Sequence, residues 1–187
     1  MLLHLNQSHR IVLHHDGFDS HSINWLLNMN TDPRTAPEHT PATKSKPWLK
    51  TDFSFFETIT LRWADNDAYG HINNAHYYSF FDTAVDGFLL HYALRALISG
   101  DYQTLVVASE CRYFSQVSAP GIIRVGVRPG RLGRSSTVYE VAVFTDDSND
   151  AAAQGLFVHV CVDKHSQRPT ETPENFRRAL QAHVAGQ

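Results

Sequence analysis

The chain has 187 residues, of which 42% are hydrophobic and 19% charged, and its formal net charge is -3. That length suits one domain of ordinary size with some excess, and the composition is that of a soluble globular protein. With no basic stripe and no strong charge imbalance, neither nucleic acid nor an anionic membrane is an expected partner.

The apolar start Met1-Leu2-Leu3 is interrupted by His4 and Asn6, and Ile11-Val12-Leu13 ends at His14-His15-Asp16. Neither run has the length of a signal-peptide core or a membrane span. Asp16, Asp19, Asp32 and Glu38 speak against an organelle transit peptide. The expected location is cytoplasmic. From Asn30 to Lys50 the composition turns to Thr, Pro and Lys, with Pro33, Pro37, Pro41 and Pro47, as in a solvated linker. Residues 1–50 therefore read as a peripheral or mobile arm and linker, with Ile23 to Leu27 as an alternative short docking helix, and residues 51–187 as the folded domain.

The first strand pattern alternates Ile59, Leu61 and Trp63 with Thr58, Thr60 and Arg62. A long helix then spans Ala75 to Leu97, with Tyr77, Phe81, Ala84, Phe88 and Tyr92 at helical spacing and Asn73 or Asn74 as N-cap. Between them lies Arg62-Trp63-Ala64-Asp65-Asn66-Asp67-Ala68-Tyr69-Gly70-His71-Ile72-Asn73-Asn74. Its two carboxylates lead into a helix N-terminus, where unpaired N–H groups and the helix dipole favour developing negative charge. If the strand persisted, Asp65 and Asp67 would point oppositely, so they are not expected to share a proton. The bland reading is that both acids cap turns. An EF-hand is rejected, because Tyr69 and His76 stand where oxygen ligands are needed. His71 and His76, five apart, do not share a helix face as a metal pair would.

These residues resemble the D-x-D-x-x-G-H-(V/I)-N-N signature of hotdog-fold thioesterases of the 4-hydroxybenzoyl-CoA thioesterase type. Tyr77-Tyr78-Ser79-Phe80-Phe81-Asp82-Thr83-Ala84 is similar to that family's Y-x-x-(F/W)-F-(E/D)-x-A continuation. The resemblance implies an α+β hotdog fold, in which a five-stranded antiparallel sheet wraps one long central helix. It assigns the catalytic carboxylate to Asp67 and places the substrate carbonyl against amides near Asn74, with Gly70 permitting a close turn. His71 and Asn73 read as loop-locking hydrogen-bond formers, and Asn73 and Tyr77 fall on the substrate side.

Four more strand patterns follow: Thr104 to Phe114, Gly121 to Arg128, Ser136 to Phe144 and Gly155 to Asp163, with Asp146 to Asp150 as a polar turn. One helix after the first strand, then four sheet strands, is an α+β order. Cys111 and Cys161 lie in strand patterns without C-x-x-C spacing, which favours buried thiols and a reducing compartment. Arg128-Pro129-Gly130-Arg131-Leu132-Gly133-Arg134-Ser135-Ser136 sets three arginines and two glycines at a bend. Guanidinium groups suit phosphate oxygens. The resemblance makes Arg131, Arg134 and Ser135 contacts for CoA phosphate and pantetheine, against a plain solvated hairpin. At the tail, Thr172-Pro173-Glu174 opens a short amphipathic helix with Pro173 at its first position, carrying Phe176, Ala179, Leu180, His183 and Val184.

The expected activity is acyl-CoA thioesterase, with Asp67 as general base or nucleophile and neither metal nor organic cofactor. Acyl-ACP hydrolysis, enoyl-thioester hydration and a non-catalytic acyl-thioester-binding module stand as alternatives. No G-x-S-x-G supports serine-triad chemistry. Bare sheet edges and the apolar run Leu105 to Ala108 lead to an expected homodimer, or a homotetramer built of two dimers.

Overall fold

The structure, a computed structural model, describes residues 46–184 and, from the preceding segment, a two-residue strand. The expectations for residues 1–45, the short helix over Ile23 to Leu27 included, otherwise lie outside the described residues. In chain order the elements are β1 (Ile11–Val12), β2 (Phe55–Leu61), α1 (Asn74–His91), β3 (Tyr102–Tyr113), β4 (Gly121–Leu132), β5 (Ser136–Phe144), β6 (Ala153–Asp163) and α2 (Glu174–Gln181). All strand pairs are antiparallel, in the order β1-β3-β6-β5-β4-β2. Apart from β1, this is the expected five-stranded antiparallel sheet with one long helix.

Period-two patterning divides the sheet into two faces. On β5, Tyr139, Val141 and Val143 turn toward α1 and join its Phe81, Ala84, Val85 and Phe88 in the main core. Ala142 and Phe144 turn the other way, onto Phe53 and Ala151, with Trp48 and Phe56 packed against them. Arg128 belongs to this second layer. Its guanidinium lies 5.3 Å from the Trp48 ring centroid and 5.0 Å from that of Phe53, and its Nε meets Glu140 at 2.6 Å.

Four local expectations change. β2 ends at Leu61, and Trp63 to Asp65 form a 3-10 turn that leaves Trp63 84% exposed. The Asp65 carboxylate closes that turn by accepting the Arg62 N–H. α1 stops at His91, short of Leu97. There Ala93 takes φ of 55°, the Ala93 N–H reaches Leu90 O at 3.0 Å, and the Leu94 N–H reaches Leu89 O at 2.8 Å. This is a Schellman-like end without glycine. A left-handed alanine costs about 1–2 kcal/mol, and burying Leu94 recovers a comparable ~2 kcal/mol; that side chain is 1% exposed.

At the third site, β4 runs on to Leu132 rather than ending at Arg128, with a register break between Pro129 and Leu132 where proline cannot donate to the ladder. α2 begins one residue later than expected. The Thr172 N–H is held by Arg134 O at 3.0 Å, so Pro173 takes the cap position, while Phe176 and Leu180 bury as the spacing predicts. Among the described residues no helix is long and apolar enough to cross a membrane.

Candidate active site

The two acids of the β2–α1 junction separate because the strand has already ended. Asp65 is buried, and its carboxylate accepts the Arg62 backbone N–H at 2.7 Å, Nε at 3.0 Å and Nη2 at 2.7 Å. The Arg62 guanidinium holds this carboxyl below the usual range. Its carbonyl accepts the Asn73 N–H at 2.9 Å. Asp65 thus ties the loop's entry to its exit.

Asp67 heads a tight turn. Its N–H donates to His71 O at 2.7 Å, and its carbonyl accepts the Gly70 N–H at 3.1 Å. Gly70 adopts φ of 80°, which disfavours a side chain there. Oδ1 of Asp67 accepts the Tyr69 N–H at 2.8 Å and the His71 N–H at 3.3 Å. Oδ2 accepts no hydrogen bond among the described residues. The carboxylate is aimed by one oxygen and available through the other. His71 enters this arrangement through its backbone.

A second loop braces the first. Asn66 Nδ2 donates to Ala119 O at 3.0 Å while Ala119 N–H returns to Asn66 Oδ1 at 2.9 Å, and the Ile72 N–H donates to Val117 O at 2.8 Å. Asn66 stands in the motif, but its bracing contact has no local sequence pattern, because the partners are 53 positions apart.

At the start of α1, Asn73 is the N-cap, with Oδ1 accepting the Ala75 N–H at 3.0 Å and its carbonyl accepting the His76 N–H at 2.9 Å. The Asn74 N–H has no acceptor among the described residues. Tyr77 packs into the core at 4% exposure, its phenol pushed up to about 12 by burial, and its ring meets Tyr113 edge-on at 5.0 Å. Tyr113, at the end of β3, was not singled out by the motif.

Arg131, Arg134 and Ser135 lie elsewhere. Gly121 pairs with Leu61 at the Asp67 end of the sheet, and β4 then runs away from it. Eleven residues of strand place the bend roughly 35 Å off within one chain. There Arg134 Nε is 3.9 Å from Glu171, Ser135 O accepts the Cys161 N–H at 2.7 Å, and Arg131 is exposed. A cavity of about 230 Å³ beside it is lined by Gly130, Leu132, Arg177, Gln181 and Val184.

The profile of one family, the thioesterase-like superfamily, matches residues 61–180, from the end of β2 to α2. The chain belongs to the thioesterase-like superfamily. That membership supports acyl thioester hydrolysis as the general chemistry. The uncharacterized protein YsmA of Bacillus subtilis (strain 168) is 33% identical over 133 residues, which are 70% of this chain and 88% of YsmA. The crystal structure of the PA5185 protein from Pseudomonas aeruginosa PAO1 is 43% identical with a TM-score of 0.69, covering 76% of this chain and 99% of its own. Slr0204, a 1,4-dihydroxy-2-naphthoyl-CoA thioesterase from Synechocystis, shares the fold at a TM-score of 0.61 and 17% identity, over 68% of this chain and 95% of its own. Within the β2–α1 loop Asp67 keeps one carboxylate oxygen without a hydrogen bond, and the Asn74 N–H at the start of α1 has no acceptor, among the described residues. Thioester hydrolysis needs a base or nucleophile and a donor for the oxygen that becomes negative.

Proposed function

We propose that the chain is a cytoplasmic acyl-CoA thioesterase that cleaves an acyl thioester to the free acid and CoA, with Asp67 as its reacting carboxylate. The observation that carries this reading is the Asp67 turn, which fixes Oδ1 and leaves Oδ2 without a hydrogen bond among the described residues, in the loop that leads into α1 at Asn74. The thioester carbonyl accepts the Asn74 N–H. Oδ2 either takes a proton from water as the hydroxide adds to the carbonyl carbon, or adds itself to give a mixed anhydride that water then opens. In both routes the C–S bond breaks, the sulfur leaves with its electron pair as thiolate, and the carbonyl re-forms. Gly70, His71 and Asn73 keep the turn and cap in register.

The working unit in this reading is a homodimer. β3 has no buried residue along its length, and Tyr102, Leu105, Tyr113 and Phe114 are each at least 36% exposed. Among the described residues β1 meets it only at Ala108 and Ser109. Such an edge invites pairing with a second chain. Antiparallel pairing of two β3 edges would turn one chain's far end toward the other's Asp67, and that gives the partner's Arg131, Arg134 and Ser135 a route to CoA phosphate and pantetheine.

Thiol release measured across short, medium, long and aryl acyl-CoAs tests the activity. Asp67→Asn is expected to lower kcat on the best substrate by roughly two orders of magnitude while the protein stays folded. Wild-type turnover by the folded variant would exclude Asp67. Light scattering after size exclusion should give twice the chain mass of 21.1 kDa; a fully active monomer would sink the shared site.

A further inference from the structure

We propose that Tyr113 is a further substrate-contacting residue, whose hydroxyl donates to the thioester carbonyl oxygen together with the Asn74 N–H. This rests on the thioesterase reading above.

The placement follows from strand register. Tyr113 pairs with Ala153 and Cys111 with Gly155, two positions of β6 that face α1. The main core contains Ala153, and the Phe81 ring closes on Gly155. Tyr113 therefore projects from the end of β3 beneath the first turn of α1. Its hydroxyl is 3.4 Å from Asn74 O, the carbonyl of the residue whose N–H stands free. The catalytic turn lies on the same side, because Phe114 leads at once into the loop whose Val117 and Ala119 bind Ile72 and Asn66.

The hydroxyl is held loosely where it is. A committed O–H···O bond is about 2.7–2.8 Å long, so 3.4 Å is a weak tether. Its other neighbour is the Cys111 thiol, a poor acceptor. Burial pushes that thiol up to about 12, so it does not become a strong thiolate acceptor at neutral pH. The phenol ring is better fixed than its hydroxyl, edge-on to Tyr77 at 5.0 Å. Tyr113 is 42% exposed despite that ring contact. A proton on a weak tether, at the helix start, is free to turn to a stronger acceptor. A carbonyl oxygen gaining charge is one. Burial also pushes the phenol above its ordinary range, so it remains a donor across neutral pH.

Oxyanion donors act in the transition state, so their loss appears in kcat. Tyr113→Phe, which keeps the ring on Tyr77, should lower kcat by about 10²-fold with KM within about twofold. Binding of a CoA thioether, which lacks the carbonyl, should be unchanged. Incorporating a fluorinated tyrosine at 113, whose phenol ionises more readily than that of tyrosine, should add a new basic limb on which kcat falls as the donor is lost, displaced above the free fluorophenol's own range because burial disfavours the phenolate there. A merely structural tether to Asn74 would lower thermal stability without that limb. Tyr113→Phe kinetics within twofold of wild type, or a fluorotyrosine protein without the new limb, would overturn the assignment while leaving Asp67 in place. Wild-type protein that releases no thiol from any acyl-CoA would remove both readings.

Discussion

Asn66 and Ala119 bond each other in both directions, side-chain amide to backbone carbonyl at 3.0 Å and backbone amide to side-chain oxygen at 2.9 Å. The pair imitates one rung of a sheet between two loops, and it sets the height at which Asp67, the next residue, is presented. Asn66→Ala would leave both backbone groups of Ala119 without these partners, at a cost of about 2 kcal/mol. A thermal melt should fall by roughly 6 °C for a chain of this size. Because the turn loses its brace, thiol release should fall by about tenfold even at temperatures where the variant is folded. Full activity in a destabilised variant would show that the second loop supports the fold and not the position of Asp67.

Asp65 and Asp67 should part company on substitution. Asp65→Asn leaves the Arg62 contacts with a neutral acceptor at a buried site, and should destabilise by about 1–3 kcal/mol. Asp67→Asn, on a half-buried turn, should leave stability nearly unchanged and remove activity. Denaturation midpoints and kcat measured on both variants check this. A stable Asp65→Asn protein would mean that the turn is closed by something other than that carboxylate.

Gly155 sits where the β6 backbone lies close against Glu110 of β3. A Cβ there would collide with the Glu110 carbonyl oxygen and lie 3.2 Å from the Phe81 ring. Backbone cannot yield as a side chain can, so Gly155→Ala should cost at least about 1–3 kcal/mol and loosen the β3 edge. Urea unfolding with dimer mass as a second readout tests it, and a variant as stable and as dimeric as wild type would refute the close approach.

His159 predicts an acid limb of stability. It lies on β6 against the rings of Tyr139 and Phe157, and among the described residues neither ring nitrogen has a hydrogen-bond partner. Burial lowers its pKa from 6.5 to about 4. The unfolded chain therefore takes up a proton first. Stability is full above about pH 6.5, declines as pH falls toward 4 and levels off below. The shift corresponds to about 3 kcal/mol at most. His159→Leu should flatten this stretch of a urea-midpoint profile between pH 7 and 4.5; an unchanged slope would assign the acid sensitivity to other groups.

Much of this protein was decided by neighbours in the chain. The strand patterns of β2 to β6, the apolar spacing of α1 and the Asn73 cap are local properties, because side-chain period and capping act within a turn or a strand. The Asp67–Gly70 turn is local too, and it carried the family resemblance. Distant contacts decided the rest. α1 ends at a non-glycine left-handed residue because Leu94 finds the core. Arg128 reads like its neighbours Arg131 and Arg134, yet is drawn onto Trp48 and Phe53 from the far side of the sheet. Asn66 and Tyr113 acquire roles only once β3 and its following loop lie against the helix start, since hydrogen bonds across 53 and 39 positions depend on which strands pair and have no local pattern. Residue type and spacing determined the loop and the family; strand order and burial decided which groups surround the carboxylate.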